Sequence, residues 1–313
     1  MKTAVFNRYG EPGVVEFTEI DTPKPGPDEV LIRVHTMAVN PVDWKIVKGK
    51  IKLITGWKFP KFIGIEGSGV IEEVGSNVSG FKKEQRVFVG LDYNGGICAE
   101  YVCAPATKIM AISDELTHEE SCTMAIAGLS ALQGLRDKGN LKAGMEVLIN
   151  GASGGVGTYA IQIAKLLGAN VTAVCSGKNF ELVKSIGADN VIDYQKEAFT
   201  ANKKKYDIVF DAVGNYSFWQ VKHILKNKGV NVNISPSPGL YLSSLLTGFF
   251  SGKKSISYML KPVMTDLKEI MDMITSRKIS VVIDKKFPFE ETAKALEYSK
   301  SERARGKIII LIR

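Results

Sequence analysis

The sequence has few cysteines and no long apolar run. Its four cysteines among 313 residues form no CxxC pair, which excludes a disulfide scaffold and favours a reduced compartment. No stretch of about 18 apolar residues occurs, so no transmembrane helix is predicted. The N-terminus shows no apolar signal-peptide region. We expect a cytoplasmic protein with no integral membrane segment.

Arginine is scarce beside lysine. The formal net charge of +8 and the isoelectric point near 9.1 arise from 33 lysines and only 8 arginines. Arginine is the preferred residue for bidentate contacts with bases and phosphates. The charge excess therefore indicates a lysine-coated surface and no nucleic-acid partner. The 45% hydrophobic content excludes disorder as the dominant state.

The predicted elements change in type along the chain. Short strands and turns dominate the first third, for example at residues 3–6 and 30–37, and predict a partly closed β-domain. At Thr117 a capping-box pattern opens a helical segment that runs to about Leu135. Short buried strands, among them Glu146–Asn150 and Asn170–Cys175, then alternate with helices, which predicts an α/β fold with a doubly wound parallel sheet.

The last strands are predicted to return to the β-rich domain. We assign residues 1–120 and 264–313 to that domain and residues 121–263 to the inserted sheet domain. The apolar segment 239–252 is interpreted as a helix packed beside the sheet. A lid over a hydrophobic substrate and a shallow membrane contact are the alternatives.

A glycine-rich turn follows a predicted strand and opens a helix. Its residues are Gly151, Ala152, Ser153, Gly154, Gly155, Val156 and Gly157. Glycines allow a sharp turn and a close approach to a pyrophosphate, while a helix N-terminus offers free N–H groups and partial positive charge. Gly157 also permits close packing of helix on strand. The pattern predicts a dinucleotide site, the alternative being a tight turn without a ligand.

The segment after the next strand lacks an acid. An NAD site would place Asp or Glu about 20 residues after the first glycine. This sequence has Cys175, Ser176, Lys178 and Asn179 there. Ser176 and Lys178 can bind a 2′-phosphate that a carboxylate would repel, so NADPH is favoured over NADH. The alternative for Lys178 is an ordinary surface lysine.

Several further motifs are spread over essentially the whole chain. They lie at residues 40–45, 64–70 with 74–75, 127–131, 151–157, 187–189 with 191–194, 211–214 and 303–307. Together they resemble the medium-chain dehydrogenase/reductase superfamily, in its zinc-independent, zeta-crystallin-like quinone oxidoreductase branch. The resemblance implies a GroES-like β-rich catalytic domain plus a Rossmann doubly wound parallel-sheet domain.

The resemblance also implies cofactor contacts. Lys178 and Tyr194 are expected to approach the adenosine 2′-phosphate. Residues expected along the cofactor are Asn40, Ser130, Val213, Asn233 and Lys307, with Ala212 and Gly214 beside Val213. The end of a parallel strand, where Val213 stands, is where ligands of open α/β sheets bind. A homodimer through a sheet edge near residues 255–260 is implied by the resemblance alone.

The zinc ligands of related dehydrogenases are missing. Ile65 stands where zinc-dependent relatives have a His before Glu66, and no cysteine precedes Cys98. Cys98 and Cys103 cannot form a four-cysteine lobe. The histidines are scattered in the sequence and are interpreted as structural: His35, His118 and His223. Glu66 is interpreted as a structural acid, and no metal site is predicted.

Chemistry without zinc favours conjugated acceptors. Hydride addition to a quinone or α,β-unsaturated carbonyl spreads charge into an enolate, which a few hydrogen-bond donors can stabilise. We expect a zinc-independent, NADPH-dependent oxidoreductase that reduces small hydrophobic quinones or enones. The alternatives are an NAD(P)-dependent alcohol dehydrogenase or aldehyde reductase, and a non-catalytic NADPH-binding protein.

Three residues are candidates to orient substrate or cofactor. They are Asn40, Asp43 and Lys45. Asp43 could instead cap a turn after Pro41, and Lys45 could be a solvated surface lysine. No nucleophile and base pair is visible, so covalent catalysis is not indicated.

Overall fold

The computed structural model describes residues 1–234, 247 and 252–313. Most of the apolar segment 239–252 therefore lies outside the described residues. The chain forms two compact units. The first unit comprises Met1–Ala125 and Ile283–Arg313, and the second comprises Ile126–Val282. Among the described residues, no helix is both long and apolar enough to cross a bilayer.

Sixteen strands lie in the described part of the chain. They are β1 Lys2–Phe6, β2 Glu16–Glu19, β3 Glu29–Val39, β4 Lys61–Phe62, β5 Glu66–Val74, β6 Arg86–Gly90, β7 Tyr101–Pro105, β8 Ile109–Ala111, β9 Glu146–Asn150, β10 Asn170–Cys175, β11 Asn190–Asp193, β12 Tyr206–Asp211, β13 Leu225–Asn233, β14 Lys254–Ser257, β15 Ile283–Pro288 and β16 Lys307–Leu311.

The first unit is built from two sheets. One has the order β2-β1-β4, and the other has the order β15-β16-β3-β5-β6-β8, with β7 also paired to β3. β-branched residues of β3, β5 and β16 alternate into the core, where Ile32, Ile71 and Ile310 are fully buried. Because β16 pairs antiparallel with β3, the last residues of the chain complete this sheet.

Helices and helical turns of the first unit are short. The α-helices are Pro41–Val47, Lys52–Thr55, His118–Ser121 and Thr292–Lys300, and the 3-10 turns are Pro12–Val14, Ala106–Lys108 and Phe289–Glu291. The predicted capping box at Thr117 is confirmed. The Glu120 backbone N–H donates to Thr117 Oγ1 at 3.1 Å, and the Thr117 N–H donates to Glu120 Oε2 at 2.9 Å.

The second unit contains a six-stranded parallel sheet of order β11-β10-β9-β12-β13-β14. This order confirms the predicted doubly wound α/β class. The strand order reverses between β9 and β12, and ligands of such sheets bind at the carboxyl ends of the strands at that point. The sheet therefore locates a binding edge at the ends of β9 and β12.

Helices of the second unit flank this sheet. The α-helices are Ser130–Leu132, Gly155–Leu166, Phe180–Ser185, Phe218–Val221 and Met264–Thr275, and the 3-10 turns are Gly177–Asn179, Phe199–Ala201 and Lys222–Ile224. The segment predicted as one helix to Leu135 includes π-helical stretches at Met124–Leu129 and Gln133–Lys138. Gly134 in this segment packs so closely on Phe210 that a Cβ there would lie 2.5 Å from the ring.

The helix Met264–Thr275 belongs to the second unit, whereas the sequence placed it in the β-rich domain. Its Asp266 accepts hydrogen bonds from Gln133 and Arg136, each at 2.8 Å. Ile270 packs against Gly128, where a Cβ would lie 3.0 Å from the Ile270 Cγ2 atom. These contacts extend the second unit to Val282, beyond the predicted border at residue 263.

Two histidines that are scattered in the sequence lie together in the first unit. The rings of His35 and His118 stack with centroids 4.3 Å apart, and His118 Nδ1 lies 2.6 Å from Ser68 Oγ. Burial and nearby positive charge lower both pKa values, that of His118 to about 4. The pair is therefore neutral at physiological pH and fills space within the unit.

Candidate cofactor and active site

The glycine turn joins β9 to the helix Gly155–Leu166. Gly151 has a φ of +75°, a conformation that favours glycine. A Cβ on Gly157 would lie 2.2 Å from the Gly151 carbonyl oxygen, so only glycine lets the helix approach the strand end this closely. No side chain caps the helix, which leaves its first N–H groups able to bind a pyrophosphate.

The ends of β9 and β12 are joined by side chains. Asn150 Nδ2 donates to Asp211 Oδ1 at 2.8 Å, and the same oxygen accepts from the backbone N–H groups of Val213 at 3.0 Å and Gly214 at 2.9 Å. Val213 is 43% exposed and lies against the turn, 2.6 Å from where a Gly151 Cβ would be. Asp211 thus folds the Ala212–Val213–Gly214 loop against the glycine turn.

Sequence reasoning missed Asn150 and Asp211 as site residues. Asp211 also accepts from Asn233 Nδ2 at 3.2 Å, which ties in the end of β13. Both residues stand at the last position of a strand. The sequence feature that could have identified them is a polar residue at the carboxyl end of a strand whose interior is apolar. Asp211, Asn150 and Asn233 hold three adjacent strand ends in register at the binding edge.

The residues expected around a 2′-phosphate follow β10 and β11. Asn179 Nδ2 donates to Ser153 Oγ at 2.8 Å and to Ser176 Oγ at 3.2 Å, which links this loop to the glycine turn. Lys178 is exposed, and Tyr194 is 56% exposed. The structure therefore brings a hydroxyl, a cation and a phenol to the ends of two neighbouring parallel strands.

An acid missed by the sequence analysis lies close to this loop. A Cβ on Gly177 would be 2.7 Å from Asp193 Oδ2, so the carboxylate at the end of β11 contacts the Gly177 backbone. Asp193 Oδ1 accepts from the Gln195 N–H at 3.1 Å. Cys175 is buried opposite Asp193, and burial raises the pKa of its thiol to about 11. Cys175 therefore remains a neutral thiol at this edge.

Ser130 lies apart from these loops in its short helix. Its carbonyl accepts a hydrogen bond from the Tyr258 hydroxyl, and the residue is 7% exposed. Gly134, on the same helical segment, also packs against Tyr258, whose hydroxyl would lie 2.4 Å from a Cβ there. Tyr258 thus fixes the backbone that carries Ser130. The contact of Ser130 with the cofactor stays a prediction.

A buried polar cluster occupies the first unit. It consists of Asn40, Asp43, Glu66 and Lys307, and we call it the Asn40 cluster. The Asn40 N–H donates to Asp43 Oδ2 at 2.7 Å, which caps the helix Pro41–Val47. Asn40 Nδ2 donates to Glu66 Oε1 at 2.8 Å. Lys307 Nζ donates to Asn40 Oδ1 at 2.6 Å and to Glu66 Oε1 at 2.9 Å.

The cluster fixes the orientation of the Asn40 amide, because its nitrogen and oxygen bond to opposite charges. Lys307 is only 3% exposed and Glu66 is fully buried. An ammonium group carries three donors, so one N–H of Lys307 remains beyond the two bonds that it makes to the described residues. Glu66, interpreted from sequence as a lone structural acid, is the charge partner of Lys307.

Asp43 has an unusual protonation equilibrium. Burial raises the pKa of its carboxyl to about 7, and the nearby Glu66 charge adds to this, while the Asn40 N–H and Lys307 oppose it. Asp43 Oδ1 is buried and has no hydrogen-bond partner among the described residues. Asp43 can therefore gain or lose a proton near neutral pH.

Lys45 lies on the same helix as Asp43 but contacts different groups. Its Nζ lies 5.7 Å from the centre of the Trp44 ring, and burial lowers its pKa. Among the described residues, no hydrogen bond joins Lys45 to the Asn40 cluster. The structure thus brings Asn40 and Asp43 together and leaves Lys45 outside that arrangement.

Comparisons with known proteins agree with this architecture. Residues 26–114 match the family described as alcohol dehydrogenase GroES-like domain, and residues 186–310 match the family described as zinc-binding dehydrogenase. The chain is 34% identical to the chloroplast envelope quinone oxidoreductase homolog of Arabidopsis thaliana, covering 99% of this chain and 98% of the relative. It is 31% identical to the mitochondrial NAD(P)H oxidoreductase RTN4IP1 of Homo sapiens, covering 99% and 89% respectively.

Solved structures give the same result. The quinone oxidoreductase from Coxiella burnetii superposes with a TM-score of 0.92 at 29% identity, covering 100% of this chain and 99% of the other. The Escherichia coli quinone oxidoreductase complexed with NADPH has a TM-score of 0.86 at 22% identity and shares the fold over 100% of both chains. The two-unit fold is that of the medium-chain dehydrogenase/reductase superfamily. The chain belongs to this superfamily, and within it to the quinone oxidoreductase branch, as its motifs predict.

The zinc in one matched family description does not fit the residues of this chain. Ile65 offers only hydrocarbon, and the neighbouring Glu66 carboxylate is bonded by the Lys307 ammonium and the Asn40 amide. Among the described residues, no group of three or more His, Cys, Asp or Glu side chains could hold a metal. A catalytic zinc needs three such protein ligands. The described residues therefore offer no donor set for a catalytic zinc.

Proposed function

We propose that this oxidoreductase uses NADPH to reduce quinones or α,β-unsaturated carbonyls. The observation that carries the proposal is that the chain contains both a dinucleotide-binding edge and the Asn40 cluster, whose Glu66 is bonded by Lys307 and Asn40 and not free to bind a metal. The names of the relatives, which are quinone and NAD(P)H oxidoreductases, support the same reaction class. The substrate is a small hydrophobic quinone or carbonyl compound.

The second unit supplies the groups that would hold NADPH. The helix that begins at Gly155, which no side chain caps, binds the pyrophosphate through its free N–H groups. Ser176, Lys178 and Tyr194 bind the 2′-phosphate by charge and hydrogen bonding. Val213 packs its exposed side chain against the cofactor at the sheet edge. These assignments use the side chains that the structure brings to the ends of parallel strands.

The first unit supplies the groups that orient the reaction. The nicotinamide of bound NADPH is the source of the hydride. We assign Asn40 to contact with substrate or cofactor, with its amide held in one orientation by Glu66 and Lys307, and we assign the third Lys307 N–H to donation. Asp43 and Glu66 act as positioning residues, since they bond the Asn40 backbone and side chain. A donor fixed before reaction stabilises developing negative charge without reorganisation. Lys45 remains a candidate for substrate contact.

The activity is tested by following NADPH oxidation with four mixtures. These contain a quinone, an enone, an aldehyde, or no acceptor. We expect NADPH to be oxidised faster with the quinone or the enone than with the aldehyde. Preferential turnover of the aldehyde would establish the aldehyde-reductase alternative, and tight NADPH binding without any turnover would establish a non-catalytic binding protein.

Cofactor choice is tested by substituting Lys178→Glu. The change replaces a cation by an anion at the proposed 2′-phosphate contact, and a charged hydrogen bond is worth about 1.5–3 kcal/mol. We expect NADPH to bind more weakly by about tenfold or more, with NADH binding little changed. Isothermal titration measures both affinities. Lys184→Glu, also exposed and on the following helix, is the matched control. An unchanged NADPH to NADH ratio in Lys178→Glu would refute the assignment.

A homodimer and a cytoplasmic location belong to the same proposal. Strand β14 ends the six-stranded sheet and offers an edge that a second copy could extend. Light scattering of the purified chain tests the dimer. The relatives include proteins named for the chloroplast envelope and the mitochondrion, so fractionation of the source cell decides the compartment.

A further inference from the structure

A surface of the first unit combines exposed apolar side chains with lysines. It consists of Lys50, Lys52, Leu53, Ile54, Trp57 and Lys58, and we call it the basic apolar surface. Leu53 is 84% exposed, and Ile54 and Trp57 are each 62% exposed. Large apolar side chains that cluster in solvent mark contact sites. Neither the glycine turn nor the Asn40 cluster uses these residues.

Contacts on the inner side of this segment fix its orientation. Thr55 is buried between the exposed residues, and its Oγ1 lies 3.2 Å from the Tyr9 hydroxyl. The Thr55 carbonyl accepts from Lys61 Nζ at 2.6 Å. Ile51 and Phe59 pack against the core on either side. Because these neighbours anchor the inner face, Leu53, Ile54 and Trp57 are left on the outer face of a fixed segment.

The charge around the surface has one sign. Six lysines and no acid lie between Asp43 and Glu66 in the sequence. Lys48 pairs with Glu11 at 2.6 Å, and Lys61 is bonded to backbone. The three lysines of the surface itself have no ion-pair partner in the part of the chain that the structure describes. Their charges are therefore available to an anionic partner.

We propose that the basic apolar surface binds the surface of an anionic phospholipid bilayer. Tryptophan and aliphatic side chains enter the boundary between headgroups and acyl chains, while lysines beside them contact the lipid phosphates. A second copy of the chain fits poorly, because a two-fold interface would set lysines against lysines. This inference stands on the surface alone and does not depend on the proposed reaction.

The test is flotation of the 313-residue chain with vesicles. One set contains phosphatidylcholine, and the other contains phosphatidylcholine and phosphatidylglycerol in equal parts. We expect binding to the anionic vesicles only, weakening as salt is added. Leu53→Ser/Ile54→Ser should lower the partition coefficient about tenfold or more, since two buried aliphatic side chains are lost from the contact. Thermal unfolding checks that the variants remain folded.

Matched controls separate this surface from general basicity. Lys52→Gln/Lys58→Gln should weaken binding about tenfold or more, given the contribution of each lysine near an anionic membrane. Lys24→Gln/Lys142→Gln removes the same charge from exposed lysines elsewhere and should have a smaller effect. Trp57→Phe should abolish the vesicle-induced shift in tryptophan emission, whereas Trp219→Phe, at an equally exposed site, should retain it.

Four outcomes would overturn the proposal. The first is no binding of the unaltered chain to anionic vesicles at low salt. The second is equal weakening by the lysine variants at the surface and at the control positions. The third is a change in oligomeric state on Leu53→Ser/Ile54→Ser without vesicles, which would assign the surface to a second copy. Equal binding to polyglutamate, unaffected by Leu53→Ser/Ile54→Ser, would show that charge alone acts and would likewise overturn it.

Discussion

Lys307 shows how much one side chain can determine in this chain. It lies at the start of β16 and is almost fully buried. Its ammonium group donates hydrogen bonds to Asn40 and Glu66. A buried charge whose partner is removed is strongly destabilising. The role of Lys307 is therefore structural as well as electrostatic.

Removing Lys307 should test this dual role. Lys307→Met leaves the Glu66 carboxylate buried without its ammonium, so we expect the free energy of unfolding to fall by about 3–5 kcal/mol. Lys307→Met/Glu66→Leu should recover a large part of the loss. Urea denaturation measures both. Lys268→Met removes one member of the exposed pair with Asp272 and should change stability by less than about 1 kcal/mol. A loss no larger than this control would contradict the buried-pair interpretation.

Titration of Asp43 should make the free energy of unfolding depend on pH. Its folded pKa of about 7 lies above its ordinary value of 3.8, so the folded state retains the proton over a range in which the unfolded state loses it. This contribution is fully present below about pH 4 and is lost as pH rises toward 7. Asp43→Asn cannot lose a proton.

The measurement is the difference in unfolding free energy between the wild type and Asp43→Asn across that range. Relative to the variant, the wild type should lose stability between about pH 4 and pH 7 and then level off. Taking the difference removes groups common to both proteins, such as Asp189 and Asp266, whose lowered pKa values act in the opposite direction. A constant difference would show that Asp43 does not titrate in this way.

At the scale of the element, the turn between β9 and its helix leaves no room for a side chain at Gly157. Gly157→Ala would place a Cβ within 2.2 Å of a backbone oxygen. We expect the helix to shift and NADPH to bind more weakly by more than about tenfold, because the N–H groups lose their alignment. Titration calorimetry and circular dichroism measure binding and helix content. Gly13→Ala, where a Cβ meets nothing within 4 Å, should change neither.

The sequence predicts some elements better than others for physical reasons. The strands Glu146–Asn150 and Asn170–Cys175 have the predicted bounds, because each is a short apolar run ended by a polar or turn residue. The segment from Thr117 to Leu135 differs, since tertiary contacts of Gly128 and Gly134 override the helical pattern. The pairing of Glu66 with Lys307 spans 241 residues, a distance at which no local pattern applies.

The whole molecule depends on its last strand. β16 lies between β15 and β3 in the large sheet, so it is an interior strand. Deleting residues 306–313 would expose both neighbours, and we expect the first unit to lose its fold. Limited proteolysis with mass spectrometry should show rapid cleavage within residues 1–125 and slower cleavage within 126–282. Deleting Arg313 alone should leave the pattern unchanged. Equal protection of both units in the longer deletion would contradict this prediction.

The position of β16 has a consequence for synthesis. The first 125 residues emerge from the ribosome long before the strand that completes their sheet, while the described strands of the second unit emerge in one unbroken stretch of chain. The second unit can therefore fold during translation, but the sheet of the first unit closes only after β16 has emerged. In the interval, the edges of β3 and β15 are unpaired, so nascent chains of this protein should engage chaperones through their N-terminal part.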